Sequence, residues 1–122
     1  MKTKEEARPV WAEIDLDNLA HNVREVKRIV KEGTLITAVI KANAYGHGAL
    51  EVANAFLENG VDRLAVATLS EAIELRKSGI DAPILILGHT PKSQYTLAIK
   101  YNISQTIYDY ENALAFSKAA SS

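Results

Sequence analysis

Uncharged, largely apolar runs alternate with helical patterns along most of this chain, and this alternation limits the fold more than any other feature. The runs are four to six residues long and rich in β-branched side chains, which is typical of strands in a parallel sheet. They lie at residues 35–40, 64–67, 83–88 and 103–107. Repeated strand–helix units of this size predict an α/β fold with a parallel sheet and helices outside it.

Two architectures satisfy this pattern: a doubly wound open sheet and half of a (β/α)8 barrel. No Gly-x-Gly-x-x-Gly motif follows the first strand, which weighs against a dinucleotide-binding sheet. The sequence ends directly after a helical pattern, and in a barrel this leaves two parallel edge strands unpaired. We therefore expect part of a (β/α)8 TIM-like barrel, truncated after about four βα units, with the remaining barrel strands absent from residues 1–122.

Capping residues and glycines predict where the helices begin and end. Asp15 or Asp17 begins a helix over residues 17–32, which Gly33 ends. Thr68 and Glu71 have the spacing of a capping box. Further helices are expected at 48–59, at 68–79, from the Thr90-Pro91 cap to 100, and from the Asp109 cap to 120. Residues 10–15 alternate with period two and predict a strand before the first helix.

Composition and charge exclude several classes of function. The net charge is −1 and the charges are interleaved, so nothing indicates a nucleic-acid-binding surface. The absence of cysteine excludes disulfides and thiolate metal sites, and three scattered histidines do not make a metal site. The first six residues are polar and no apolar run follows them, so we expect no signal peptide. No apolar stretch reaches the length of a membrane span, and we therefore expect a cytoplasmic protein. At 122 residues the chain is one domain or part of one.

Lys41 is the strongest candidate for chemistry. It ends the run 35–40, which predicts a strand buried on both faces, and it opens a turn with two glycines. Partial burial favours the neutral form of an amine, and a neutral amine can attack a carbonyl to form an imine. Lys41 is therefore a Schiff-base candidate, although a lysine at a strand end can also simply extend into solvent.

Other polar residues near the predicted strand ends are weaker candidates. The hydroxyl of Tyr45 could donate to a phosphate oxygen, or its ring could cover the helix above. His47 is expected to cap or pack the turn, while His21 lies on a helix and His89 in a loop. In both architectures ligands bind at the carboxyl ends of the strands, so a site is expected there.

The octapeptide 41–48, Lys-Ala-Asn-Ala-Tyr-Gly-His-Gly, resembles the pyridoxal-phosphate lysine motif of alanine racemases. Segments 11–17, 63–67 and 82–88 resemble other parts of that family in the right order, so the resemblance covers nearly the whole chain. The octapeptide is the specific segment, because buried strands resemble one another.

The resemblance implies a fold, a cofactor and roles for three residues. It implies the N-terminal barrel portion of an enzyme that also has a β-rich C-terminal domain and works as a homodimer. Lys41 would form an imine with pyridoxal 5'-phosphate and serve as one of two bases. Tyr45 would bind the cofactor phosphate, and Leu87 would contact the cofactor from the third strand.

The family's remaining machinery has no counterpart in these residues. The second base is a tyrosine of the C-terminal domain, and the arginine facing the pyridine nitrogen and most phosphate contacts also lie beyond residue 122. We therefore expect the parent enzyme to interconvert L- and D-alanine for peptidoglycan, and the 122 residues alone to be inactive. Two alternatives remain: a racemase of the same barrel family acting on serine, lysine or a wider range, and a non-catalytic pyridoxal-phosphate-binding protein.

Overall fold

A four-stranded parallel sheet lies at the centre of the computed structural model, which describes residues 9–122. Its strands are β1 (Thr37–Val39), β2 (Arg63–Val66), β3 (Ile84–Ile86) and β4 (Ser104–Gln105), paired in the order β1-β2-β3-β4. A doubly wound sheet reverses its strand order at a switch point, whereas a barrel adds each strand beside the previous one. The consecutive order confirms the barrel-type α/β fold.

Helical segments precede, connect and follow these strands within residues 9–122. They are α1 (Leu16–Ile29), α2 (Lys41–Tyr45), α3 (Ala49–Glu58), α4 (Leu69–Lys77), α5 (Tyr95–Lys100), which follows a 3-10 turn at Lys92–Gln94, and α6 (Tyr110–Ser121). Two predicted caps are confirmed. Asp15 accepts a hydrogen bond from the Asn18 N–H at 3.0 Å, and Asp109 accepts one from the Asn112 N–H at 2.8 Å. Each cap satisfies a backbone donor that the first helical turn leaves free.

One face of the sheet packs against the helices and forms the core. Alternate strand residues point to this face, as the pleat of a strand requires. They are fully buried and meet small and branched side chains of α3, α4 and α5, which let the helices approach the sheet closely. The strand residues of this core are Ile40, Leu64, Val66, Ile84 and Ile86.

The opposite face of the sheet is partly open, although Ala65 at its centre is buried. Val39 is 41% exposed, Thr37 is also exposed, and Leu85 is half-buried. The prediction that the run before Lys41 is buried on both faces is therefore wrong, because no element among residues 9–122 covers this second face. The run at residues 35–40 is nevertheless apolar on both faces, as is typical of a parallel strand that is covered on both sides.

Three boundary predictions are also wrong. Residues 10–15 form no strand, because no other segment of the described chain pairs with them. α1 ends at Ile29, since Val30 takes an extended conformation, and Gly33 lies in the loop that follows. Thr90 does not cap a helix; its side chain is buried and hydrogen-bonds to Gln105 instead.

The partly open face and the two outer strands lead to a prediction about the isolated 122-residue chain. Strands β1 and β4 each pair on one side only among residues 9–122, and unpaired strand edges promote association between copies. We expect the purified chain to self-associate and to bind the dye ANS, which sedimentation velocity and fluorescence would measure. A monomer at high concentration with a sharp cooperative melt would contradict this expectation.

Candidate cofactor site

The turn that follows β1 has an unusual backbone. Ala42, Asn43, Ala44 and Tyr45 have φ values of 50°, 55°, 54° and 56°, so α2 is a left-handed turn directly after Lys41. A left-handed conformation costs about 1–2 kcal/mol for each residue with a Cβ. Such a turn persists only where surrounding contacts hold it, and turns of this kind cluster at functional sites.

Local hydrogen bonds hold the turn in place. The Ala44 N–H donates to Ile40 O at 2.9 Å, which ties the turn to the end of β1. The Asn43 side chain accepts from the Ala49 N–H at 2.8 Å and so caps α3, whose N-cap residue Gly48 has no side chain to do this. The ring nitrogen Nδ1 of His47 lies 3.0 Å from Ala44 O. His47 thus contacts the turn itself, in agreement with its predicted role.

The sheet places Lys41 and Leu87 at one edge. Val39 pairs with Ala65, and Ala65 pairs with Leu85, so these three residues share one level of the sheet. Lys41, Ala67 and Leu87 each come two residues later. Pairing of β1 ends at Val39 and Ile40 already leaves the extended conformation, with ψ of 28°, so the register itself does not extend to Lys41. Lys41 and Leu87 each follow the carboxyl end of their strand and so lie at the same edge of the sheet.

The side chains proposed to contact a ligand are accessible. Lys41 is exposed, the Tyr45 side chain is 61% exposed, and Leu87 is 37% exposed. The Leu87 backbone is fixed, since its N–H donates to Val66 O at 2.8 Å and its carbonyl accepts from the Tyr108 hydroxyl. The exposed Tyr45 ring does not form part of the core.

A polar network holds the end of β3 against β4. The Gln105 side chain donates to Gly88 O at 2.9 Å, and the hydroxyl of Thr106 donates to Ile86 O at 2.7 Å. A Cβ on Gly88 would lie 2.5 Å from Ala67 O, so only glycine lets the ends of β2 and β3 approach this closely. Sequence reasoning missed Gln105, Thr106 and Tyr108, because their acceptors are backbone carbonyls of a distant segment.

The site is a surface at the strand ends. A cavity of about 520 Å³ lies behind the turn and is lined by residues of α3 and α4, including Glu71 and Glu74, but by none of Lys41, Tyr45 and Leu87. Among residues 9–122, no cluster of three histidine and carboxylate side chains could hold a metal ion. No helix in that part of the chain is both long and apolar enough to cross a membrane.

The donor set fits pyridoxal phosphate. An aldehyde requires an amine, which Lys41 supplies; a phosphate accepts from a hydroxyl, which Tyr45 supplies; and an aromatic ring favours an apolar contact, which Leu87 supplies. The left-handed turn separates Lys41 from Tyr45 by three residues, directly after β1. These features define a β/α-barrel protein whose first sheet strand brings a lysine to the ligand-binding edge.

Comparison with known proteins identifies the family within that class. The chain matches the family model described as the N-terminal domain of alanine racemase over residues 14–122, and it belongs to that family. An alanine racemase of Clostridium tetani is 60% identical over 113 residues, which are 93% of this chain and 29% of that protein. The predicted family resemblance is confirmed.

Solved structures agree with the fold. An alanine racemase of Clostridium difficile 630 superposes with a TM-score of 0.90 and 47% identity, covering 94% of this chain and 31% of that one. The histidine racemase of Leuconostoc mesenteroides subsp. sake superposes with a TM-score of 0.79 and 32% identity, covering 87% and 28% respectively. The chain thus spans about 30% of the length of the relatives it matches.

Proposed function

We propose that this chain is the N-terminal barrel portion of a pyridoxal-phosphate-dependent alanine racemase. The remaining barrel strands and a C-terminal β domain would lie outside residues 1–122; we call the whole protein the parent enzyme. The observation that carries the proposal is the placement of Lys41, which follows β1 in a turn held by hydrogen bonds, at the edge of the sheet where Leu87 follows β3. The identity to named alanine racemases supports it.

Three residues of this chain would hold the cofactor. Lys41 would bond its aldehyde carbon, Tyr45 would donate a hydrogen bond to its phosphate, and Leu87 would pack against its ring. When bound, pyridoxal phosphate supplies a ring system that takes up the electron pair left by removal of the substrate Cα proton. The protein's task is then to orient the substrate and to move that proton.

The amine of the incoming amino acid would displace the Lys41 Nζ from the aldehyde carbon, and the freed Lys41 would then act as the base on one face of the substrate Cα. Its Nζ would accept the proton from one enantiomer and return it when the reaction runs in the opposite direction. Racemisation also requires an acid on the opposite face, within about 3 Å. We propose that this second group is a tyrosine outside residues 1–122, so the 122-residue chain would not racemise alanine by itself.

The test of the function is an assay of the parent enzyme with L-alanine, L-serine, L-lysine and L-histidine, with chiral chromatography of the products. We expect D-alanine to form with the highest kcat/KM. Histidine is included because the Leuconostoc relative is named a histidine racemase. A preference of tenfold or more for another amino acid would favour the wider-range alternative. Binding of the cofactor without any racemisation would favour the non-catalytic alternative.

A cellular role follows from this activity. We propose that the parent enzyme is a cytoplasmic homodimer that supplies D-alanine for peptidoglycan, with the amino acid as its small-molecule partner and neither nucleic acid nor membrane as a partner. The family resemblance supports the dimer. The interleaved charges and the absence of a spanning helix among residues 9–122 are compatible with these partners.

Replacing Tyr45 with phenylalanine should weaken cofactor binding in the parent enzyme more than it slows the chemistry. One hydrogen bond to a charged phosphate contributes about 1.5–3 kcal/mol, so we expect the Kd to rise about tenfold or more. Fluorescence titration of the cofactor-free protein would measure this Kd. Tyr110→Phe, on an 80% exposed side chain of α6, is the control. A Kd equal to that of the control would remove Tyr45 from the site.

A further inference from the structure

Glu71 connects two segments that meet at the candidate site. It lies in the first turn of α4 and is half-buried. Its Oε2 accepts from the Ala67 N–H at 3.0 Å, and its Oε1 accepts from the Ala42 N–H at 3.4 Å. Ala42 directly follows Lys41, and Ala67 directly follows β2, the strand that lies between β1 and β3.

These contacts differ from the capping box that the sequence predicts. In a capping box the glutamate would bond to the backbone N–H of the N-cap residue Thr68. Here Thr68 keeps its half of the motif, accepting from the Glu71 N–H at 3.4 Å, but the carboxylate bonds to other residues. One of them, Ala42, is 29 positions away in the sequence. The carboxylate therefore does more than begin its own helix.

No cationic side chain competes with the two backbone N–H groups for the Glu71 carboxylate among residues 9–122. No lysine or arginine among residues 9–122 lies within salt-bridge distance of it, and the ion pair found there joins Arg28 to Glu25. Hydrogen bonds from N–H groups to an ionised carboxylate are about twice as strong as neutral ones. The N-terminus of α4 also stabilises a negative charge at this position. The carboxylate of Glu71 thus accepts hydrogen bonds from two backbone donors on separate segments.

We propose that Glu71 is a positioning residue, which fixes the left-handed turn relative to the end of β2 and thereby holds Lys41 in place at the carboxyl end of β1. One carboxylate oxygen binds the end of β2, and the other binds the first residue of the turn. The effect of Glu71 on cofactor attachment at Lys41 rests on the proposed function. The hydrogen bonds from Ala42 and Ala67 to Glu71 do not depend on it. Glu71 touches neither substrate nor cofactor in this scheme; it acts through the backbone of Ala42.

Two substitutions and a matched control test this role in the parent enzyme. Glu71→Gln keeps the shape but has only one acceptor oxygen, and its NH2 group opposes a backbone N–H. Glu71→Asp keeps the charge but is one methylene too short to bridge both donors. Glu74→Gln removes the same charge from an exposed position on the same helix, three residues on.

The first readout is amide hydrogen exchange of the cofactor-free protein. In both Glu71 variants we expect exchange in a peptide covering residues 40–48 to accelerate about tenfold or more, which corresponds to the loss of a charge-assisted bond. Peptides from α1 and α6 should be unchanged, and Glu74→Gln should behave like the wild type. Equal exchange at residues 40–48 in all proteins would overturn the inference.

The second readout is the rate at which pyridoxal phosphate becomes covalently attached to Lys41. This rate is measured by borohydride trapping at successive times and by mapping of the labelled peptide. We expect both Glu71 variants to react about tenfold more slowly at saturating cofactor, with an unchanged melting temperature. A slower reaction that is accompanied by faster exchange throughout the protein would show a general structural role and overturn the proposal.

The two readouts separate this inference from the proposed function. If the wild type attaches no cofactor at Lys41, the proposed function fails, and the exchange data alone decide whether Glu71 holds the turn. If the wild type attaches cofactor but Glu71→Asp matches it in both readouts, the bridging role fails while the function stands.

Discussion

Replacing Lys41 with alanine or arginine should abolish both racemase activity and the visible absorption of bound cofactor in the parent enzyme. Alanine removes the amine, and arginine keeps the charge but stays protonated and cannot bond the aldehyde carbon. We expect kcat to fall by at least about four orders of magnitude, since the same residue bonds the cofactor and moves the proton. Chiral assay and absorption spectroscopy would measure the two losses.

The control is Lys92→Ala. Lys92 is an exposed lysine in the 3-10 turn that follows β3, also near the carboxyl ends of the strands. It should retain full activity and the absorption band. Borohydride reduction followed by peptide mapping of the wild type should place the cofactor on the peptide containing residue 41. Label spread over several lysines, or an active Lys41→Arg enzyme, would contradict the assignment of Lys41.

The second large effect is expected on stability. Arg76 of α4 donates four hydrogen bonds to backbone carbonyls: to Tyr101 and Asn102 at 2.9 Å each, and to Ile80 and Ala82 at 2.7 Å each. This single guanidinium joins the loop before β3 to the turn before β4. Bonds to a charged group contribute about 1.5–3 kcal/mol each but do not add fully, so we expect Arg76→Met to lower the free energy of unfolding by about 3 kcal/mol.

Urea unfolding of the cofactor-free parent enzyme would measure this loss. Arg76→Lys should restore little, because a single ammonium cannot reach carbonyls on both segments in the way the planar fork does. Lys77→Met, on the neighbouring exposed position, is the control and should change stability by less than about 0.5 kcal/mol. A loss below about 1 kcal/mol for Arg76→Met would show that water replaces its bonds to the carbonyls.

Local signals in the sequence are sufficient to predict much of this fold. Uncharged runs mark the strands, and Asp15 and Asp109 mark helix starts by their short acceptor side chains. Lys41 is recognisable because it stands where such a run ends. The strand at residues 10–15 fails for a physical reason: alternation describes one side of a strand, and a strand also requires a neighbour.

The features that the sequence does not reveal are non-local. Ala42, Ala44 and Tyr45 have no preference for a left-handed backbone, and only Asn43 tolerates it well. Glu71 has the spacing of a local cap, yet its more distant bond reaches Ala42. Such bonds depend on which segments the sheet brings together, and no pattern within a short window records that.

The consecutive strand order also affects how the protein can be synthesised. Each strand pairs with the strand made immediately before it, so the sheet can extend by one βα unit at a time as the chain leaves the ribosome. Among β1 to β4, each new strand finds one neighbour already made. The apolar face that includes Val39 and Leu87 stays in water throughout this period. If the proposed parent enzyme is made in this order, completion of its barrel is in competition with encounters between nascent chains through this apolar face.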